Sequence, residues 1–99
     1  MSKRIHVGMM MITERPIGVE PLKSRVMGNY ELLLMDGREI SRKDYPRLSQ
    51  LLKRGGFGNK LPSEQQELDI QDHYVVARRL SKAEMLIVNQ VRDQNGGAN

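Results

Sequence analysis

The chain has no cysteine among its 99 residues, which excludes disulfide bonds and thiolate chemistry. It also has no tryptophan, and aromatic residues make up only 4% of the sequence. A domain of this size buries roughly 60–65% of the surface that its unfolded chain exposes. Because several methionine-rich and other apolar segments remain to be covered by so small a core, we expect another chain to cover part of this surface.

The sequence also lacks any apolar run approaching the roughly 18 residues that a membrane-spanning helix needs, so we expect no membrane span. The formal net charge is +4, and the charges of both signs are interspersed. Such a balance allows weak attraction to nucleic acid or to acidic surfaces but indicates neither of them.

Residues 1–28 have the composition of an extended N-terminal arm. Gly8 interrupts an apolar segment, and Pro16 and Pro21 each remove a backbone donor and fix φ. The apolar part of the arm has two possible partners, its own domain or the sheet edge of a neighbouring chain, and the sequence leaves both open. The arm residues that we expect to contact a partner or a second copy are Ile5, Val7, Met9, Met10 and Met11.

Residues 29–80 are predicted to form a compact α/β module. The segment 30–35 has two apolar faces, typical of a strand buried on both sides. Asp36-Gly37 predicts a turn and 38–40 a short returning strand. Ser41 and Asp44 have the spacing of a helix cap, and the leucines that follow predict a helix beginning at Tyr45 or Pro46.

After a glycine-rich loop, residues 68–70 and 74–76 alternate or cluster like short strands. Ser81 and Glu84 form a capping box that predicts a C-terminal helix over 81–93, followed by a flexible tail at 94–99. This helix has more apolar residues than one stripe requires, so we expect Met85 and Val88 to contact a partner. The predicted fold is α+β: a small single domain of short strands with one central helix and a C-terminal helix, preceded by the arm.

No pattern of catalytic, cofactor-binding or metal-binding residues stands out. The loop 54–60 lacks the Gly-Lys-Ser/Thr ending of a phosphate-binding loop. His6 and His73 have no further ligands at metal-binding spacing. The acidic residues are better explained by turns, caps and strand ends than by acid–base catalysis. We therefore expect neither a cofactor nor enzymatic activity.

The segment "LLLMDGREISRKDYPRL" resembles the phage tail collar domain family of short tail fibres and related virion proteins. In that family an apolar strand leads to Asp-Gly-Arg, then to a Ser, an Asp-Tyr-Pro and a leucine-bearing helix. The likeness covers residues 30–58 closely and 59–80 loosely, because the Pro and Gly of the family's second motif are missing. The matching motif residues are Asp36, Gly37, Arg38, Ser41, Asp44, Tyr45 and Pro46.

The resemblance implies a structural virion protein: a small adaptor or collar subunit that attaches or organises tail fibres or tail parts. It implies other tail proteins as partners, a homo-oligomer (a trimer or a higher ring), and location in the virion tail after synthesis in the host cytoplasm. It implies no catalytic residues. Separately, the scarcity of aromatic residues for base stacking argues against nucleic acid as a partner.

Two other classes of function stay open. Lys43, Arg47 and Arg54 lie on one side of the first predicted helix, which with the positive charge suggests a small basic nucleic-acid-binding regulator. An enzyme or enzyme inhibitor would instead use the acidic corner at Asp36 and Asp44.

Overall fold

The computed structural model describes residues 4–63 and 71–96. The strands are β1 (Met10–Glu14), β2 (Ser24–Met27), β3 (Tyr30–Leu34) and β4 (Gln71–Arg79), and the helices are α1 (Pro46–Arg54) and α2 (Lys82–Gly96). The strands form one antiparallel sheet in the order β1-β4-β3-β2. This arrangement, with one central and one C-terminal helix, confirms the predicted α+β class.

The sheet is buried on both faces at its centre. On one face, α1 packs its leucines Leu48 and Leu52 against Leu33 and Val75. The opposite face has a second cluster, formed by Leu32, Tyr74 and Val76. The two-sided burial predicted for the β3 segment is therefore confirmed, because β3 lies between β4 and β2 and contributes to both clusters.

The N-terminal segment predicted as an arm contributes two strands, β1 and β2, to the sheet, so it is part of the fold and does not merely precede it. β1 pairs with β4, so that Met11 lies opposite Tyr74, and β2 pairs with β3, so that Val26 lies opposite Glu31. Pro16 and Pro21 both lie in the connection between β1 and β2. Proline disturbs a strand because it has no N–H to donate to the ladder. Since both prolines lie outside β1 and β2, the two strands keep all their backbone donors.

Several predicted boundaries differ from the structure. Within residues 38–40, one residue, Glu39, makes an isolated bridge, with Lys60, so the segment is not a continuous returning strand. Helix α2 continues to Gly96, so the predicted tail at 94–99 is helical as far as that residue. The predicted strand at 68–70 lies outside the described residues. Within the described parts of the chain, no helix has the length and apolar character needed to cross a membrane.

Candidate functional site

The turn after β3 is fastened by its own charged residues. Gly37 has a φ of +80°, a conformation that side chains disfavour. The Asp36 carboxylate accepts hydrogen bonds from the Arg38 backbone N–H at 3.2 Å and from Arg38 Nη1 at 3.1 Å. Arg38 Nη2 donates to the Lys23 carbonyl at 3.0 Å, beside β2. These residues therefore hold a turn against the sheet.

The predicted cap of the central helix, Ser41 with Asp44, lies in the turn before α1 and does not cap the helix. Ser41 Oγ accepts from the Asp44 N–H at 3.3 Å, but this bond closes the turn before α1. The N-cap residue of α1 is Tyr45, and no side chain caps it. The prediction that Asp44 caps the helix is wrong, because Pro46 at the first helical position sets the start of α1 beyond its reach.

Tyr45, Glu31 and Arg78 form a partly buried polar cluster beside α1. Arg78 Nε lies 2.7 Å from Glu31 Oε1, and Tyr45 donates its hydroxyl hydrogen to Glu31 Oε2 at 3.1 Å. The Arg78 guanidinium also stacks over the Tyr45 ring, 4.9 Å from its centroid. Glu31 is only 8% exposed, so these two partners compensate a carboxylate that has lost its water.

A β-bulge makes this cluster possible. Leu32 lies opposite Val76, but Glu31 lies opposite Arg78, so β4 has one extra residue at Ala77. The extra residue shifts the alternation of β4 and turns Arg78 to the side of Glu31. Sequence reasoning missed this contact. The signal available in the sequence was Glu31, which shares a face of β3 with the buried Leu33. A carboxylate on a buried face needs a partner of opposite charge.

The pKa values in the cluster reflect burial and the central carboxylate. Burial, with the negative charge and hydrogen bond of Glu31, raises the pKa of Tyr45 to about 12. Burial alone would lower the pKa of Arg78, but attraction to Glu31 outweighs it and the pKa is raised. Both shifts favour the neutral phenol and the charged guanidinium, so the cluster is a stable ion pair at neutral pH rather than a proton donor.

A second polar group fixes the β1–β2 connection on the other face of the sheet. Arg15 Nε lies 2.7 Å from Asp72 Oδ2, and the Tyr74 hydroxyl donates to the Leu22 carbonyl at 2.9 Å. Arg25 donates to Thr13 Oγ1 at 2.8 Å and lies over the Tyr74 ring. Burial is the main cause of the raised pKa of Tyr74. This group lines one side of an open cleft of about 190 Å³ beside the connection.

The carboxylates in these clusters are each held by an arginine: Glu31 by Arg78, Asp36 by Arg38, and Asp72 by Arg15. In the described part of the chain, no three His, Asp or Glu side chains are grouped as a metal site would require. What the charged groups do here is to hold strands, turns and the N-terminus of α1 together.

No family model, curated protein or solved structure matches this chain. The likeness to the tail collar family therefore stays a prediction from the sequence. The possible functions have to be judged from the surfaces that the fold presents.

Helix α2 presents exposed apolar side chains. Leu86 is 62% exposed, Ile87 59% and Val91 49%; we call these three residues the α2 face. Met85 and Val88, the predicted contact residues of this helix, are only partly exposed. Beside the α2 face, a groove of about 320 Å³ separates α2 from the β2 edge. Its apolar lining residues are Leu22, Val26, Ile87, Val88 and Val91.

The predicted contact residues of the N-terminal segment also divide into two groups. Val7 packs against the α1 side of the sheet, and Ile5, Met9 and Met11 pack against the opposite cluster. Met10 is 60% exposed, and Ile12, which the sequence did not single out, is 58% exposed. The alternation follows from the strand, since successive side chains of β1 point to opposite faces.

The outer side of α1 is basic. Among the described residues, the lining of a concavity of about 540 Å³ on this side includes three cationic side chains and no acidic one. Its lining residues are Arg42, Pro46, Arg47, Ser49, Gln50 and Lys53. Of the predicted basic face, Arg47 lines this concavity.

Proposed function

We propose that this chain is a structural subunit of a bacteriophage tail, a small adaptor or collar component that attaches or organises tail fibres or other tail parts. Its partners are other tail proteins and further copies of the chain, in a homo-oligomer such as a trimer or higher ring. Its place is the virion tail, and it performs no catalysis. The phage context comes from the collar-like motif in residues 30–58.

The observation that carries the structural role is the α2 face. A helix in a small domain normally buries its apolar residues against its own core. Here Leu86, Ile87 and Val91 are about half or more exposed, beside an apolar groove. Burial of apolar surface contributes roughly 25 cal/mol per Å², so covering this face by a neighbouring protein is favourable.

The inward use of the motif residues supports the same proposal. Asp36 and Arg38 close a turn, and Tyr45 holds the Glu31–Arg78 pair. A motif whose polar groups are engaged within the fold serves as a scaffold, and its function then lies in the surfaces that it positions.

Quantitative mass spectrometry of purified particles tests this proposal. We expect the chain in purified virions at a fixed number of copies per particle, and immunogold labelling on the tail. If the chain is abundant in infected cells but absent from density-purified particles, the proposal is wrong.

The basic concavity on α1 favours a second candidate, a small nucleic-acid-binding protein. Arg42, Arg47 and Lys53 together can neutralise backbone phosphates, and such binding weakens steeply as salt increases. This candidate predicts that R42Q/R47Q reduces duplex binding and lowers the slope of log affinity against log salt. The matched control R79Q/K82Q removes the same charge elsewhere. An equal loss of affinity for duplex in both variants would indicate only non-specific attraction by net charge.

A further inference from the structure

Strand β1 has one paired edge and one open edge. It pairs with β4 on one side, and it is the last strand of the sheet. The Val76 N–H donates to the Met9 carbonyl at 2.8 Å. Because hydrogen-bonded residues alternate in an antiparallel ladder, Met11 and Thr13 direct their backbone groups to β4, and Met10, Ile12 and Glu14 direct theirs outward.

This open edge lacks the usual protection of an edge strand. Natural edges are guarded by charged side chains, above all lysine, and by proline, but in the sequence MMITE of Met10–Glu14 the single charge stands at the C-terminal end. Met10 and Ile12 are 60% and 58% exposed, so the residues with outward backbone groups also carry exposed apolar side chains. Among the described residues, no hydrogen bond engages these outward groups outside the ladder with β4.

We propose that the β1 edge pairs antiparallel with the β1 edge of a second copy of this chain, on a two-fold axis through Ile12. In this register Ile12 lies opposite Ile12 of the second copy, and Met10 lies opposite Glu14. Each outward-directed residue then becomes a hydrogen-bonded pair, and the sheet continues across the two copies. This inference goes beyond the proposed function, because a two-fold contact joins copies in pairs, whereas a trimer or a ring is built from a different, head-to-tail contact.

The strand is complementary to itself in charge as well as in register. Glu14 is at its C-terminal end, and the exposed residues Arg4 and His6 precede its N-terminal end. Antiparallel pairing brings the acidic end of one copy toward the basic end of the other, whereas parallel pairing would place the Glu14 side chains together. The β2 edge suits a second sheet less well, because Val26 there lines the groove with α2.

Single cysteines test the pairing, since the native chain has none. Opposed hydrogen-bonded residues in antiparallel strands have Cα atoms about 5.5 Å apart, a separation that a disulfide spans. We expect I12C to form a dimeric disulfide at least about tenfold faster than I17C, because pairing raises the local thiol concentration. Ile17 in the β1–β2 connection is the more exposed of the two, 78% against 58%, so accessibility alone would favour the control. Mixed M10C and E14C should cross-link with each other faster than either does with itself.

Sedimentation velocity over a concentration series provides the second measurement. We expect wild type and I17K to self-associate, and I12K to remain monomeric while its circular dichroism stays that of wild type. The inference is wrong if wild type is monomeric throughout and I12C cross-links no faster than I17C. If I12C does not fold, the mixture of M10C and E14C replaces it, and the inference is wrong if these two cross-link with each other no faster than each does with itself. A self-pairing chain that is absent from virions contradicts the proposed function alone, and a virion protein that does not pair contradicts this inference alone.

Discussion

At the scale of single residues, the polar side chains of this fold hold elements that are distant in sequence. Glu31 on β3 and Arg78 on β4 are 47 residues apart, and Tyr45 joins them from the N-terminus of α1. A buried carboxylate without partners is strongly unfavourable, so the two donors decide whether Glu31 is tolerated between the sheet and α1.

Replacing Tyr45 by phenylalanine tests this cluster. The ring stays over Arg78, but Glu31 loses one donor, so we expect Y45F to lower the free energy of unfolding by about 1 kcal/mol at pH 7. Urea unfolding followed by circular dichroism measures this loss. Y30F is the matched control, and an equal loss in both variants would show that the Glu31 hydrogen bond is unimportant.

The same substitution changes the alkaline pH dependence. The pKa of Tyr45 is about 12 when folded and about 10 when unfolded, so folding favours the neutral phenol. This contribution is fully present below pH 10 and is lost as the pH rises toward 12. Y45F should therefore show a shallower fall of stability between pH 10 and 12. The pKa of Tyr74 is also raised, so its ionisation still lowers the stability of Y45F as the pH rises, and part of the fall remains.

Gly37 can be tested against a glycine with similar backbone but open surroundings. A Cβ at Gly37 would lie 3.3 Å from Ser63 Cβ, whereas one at Gly18, with φ +89°, would meet nothing within 4 Å. Both G37A and G18A place alanine at positive φ, at a cost of about 1 kcal/mol. We expect G37A to lower the midpoint temperature of thermal unfolding more than G18A does. Equal losses would mean that Ser63 moves away without cost.

Local residue roles could be predicted from the sequence more readily than distant ones. The Ser81–Glu84 capping box is confirmed, with both reciprocal bonds at 3.1 and 3.2 Å, because all its atoms lie within one turn. The predicted Asp44 cap is equally local but wrong, because Pro46 at the first helical position makes Tyr45 the N-cap residue. The Glu31–Arg78 pair was out of reach, since it depends on strand order and on a bulge.

At the scale of elements, the main surprise is the N-terminal segment. Its glycine and prolines suggested an arm, but the prolines mark only the connection between two strands. No local sequence pattern predicts that β1 pairs with β4, which lies more than fifty residues later in the chain. Strand pairing over such distances is a property of topology.

Helix α2 offers a prediction about local stability. S81A removes the hydroxyl that accepts the Glu84 backbone N–H at the start of α2, which weakens the helix by about 1 kcal/mol. Because the α2 face is exposed, little of this loss should reach the core. We expect faster hydrogen exchange of α2 amides with an almost unchanged global unfolding midpoint. A global loss as large as the local one would show that α2 is integral to the core.

At the scale of the whole molecule, the described residues present three surfaces of different character. The β1 edge suits a second copy, the α2 face suits an apolar neighbour, and the basic concavity on α1 suits a polyanion. The polar clusters between these surfaces hold the sheet together. This division of roles is what a small adaptor requires, since it joins copies of itself to something else.

The most direct test of the central claim is incorporation of surface variants into tails. A phage lacking the gene would be complemented with wild type, with L86K/I87K on the α2 face, or with the control I17K, and copies per purified particle would be counted by mass spectrometry. We expect I17K to match wild type and L86K/I87K to be lost from particles although it folds. Incorporation of all three at equal levels, or of none, would contradict the account.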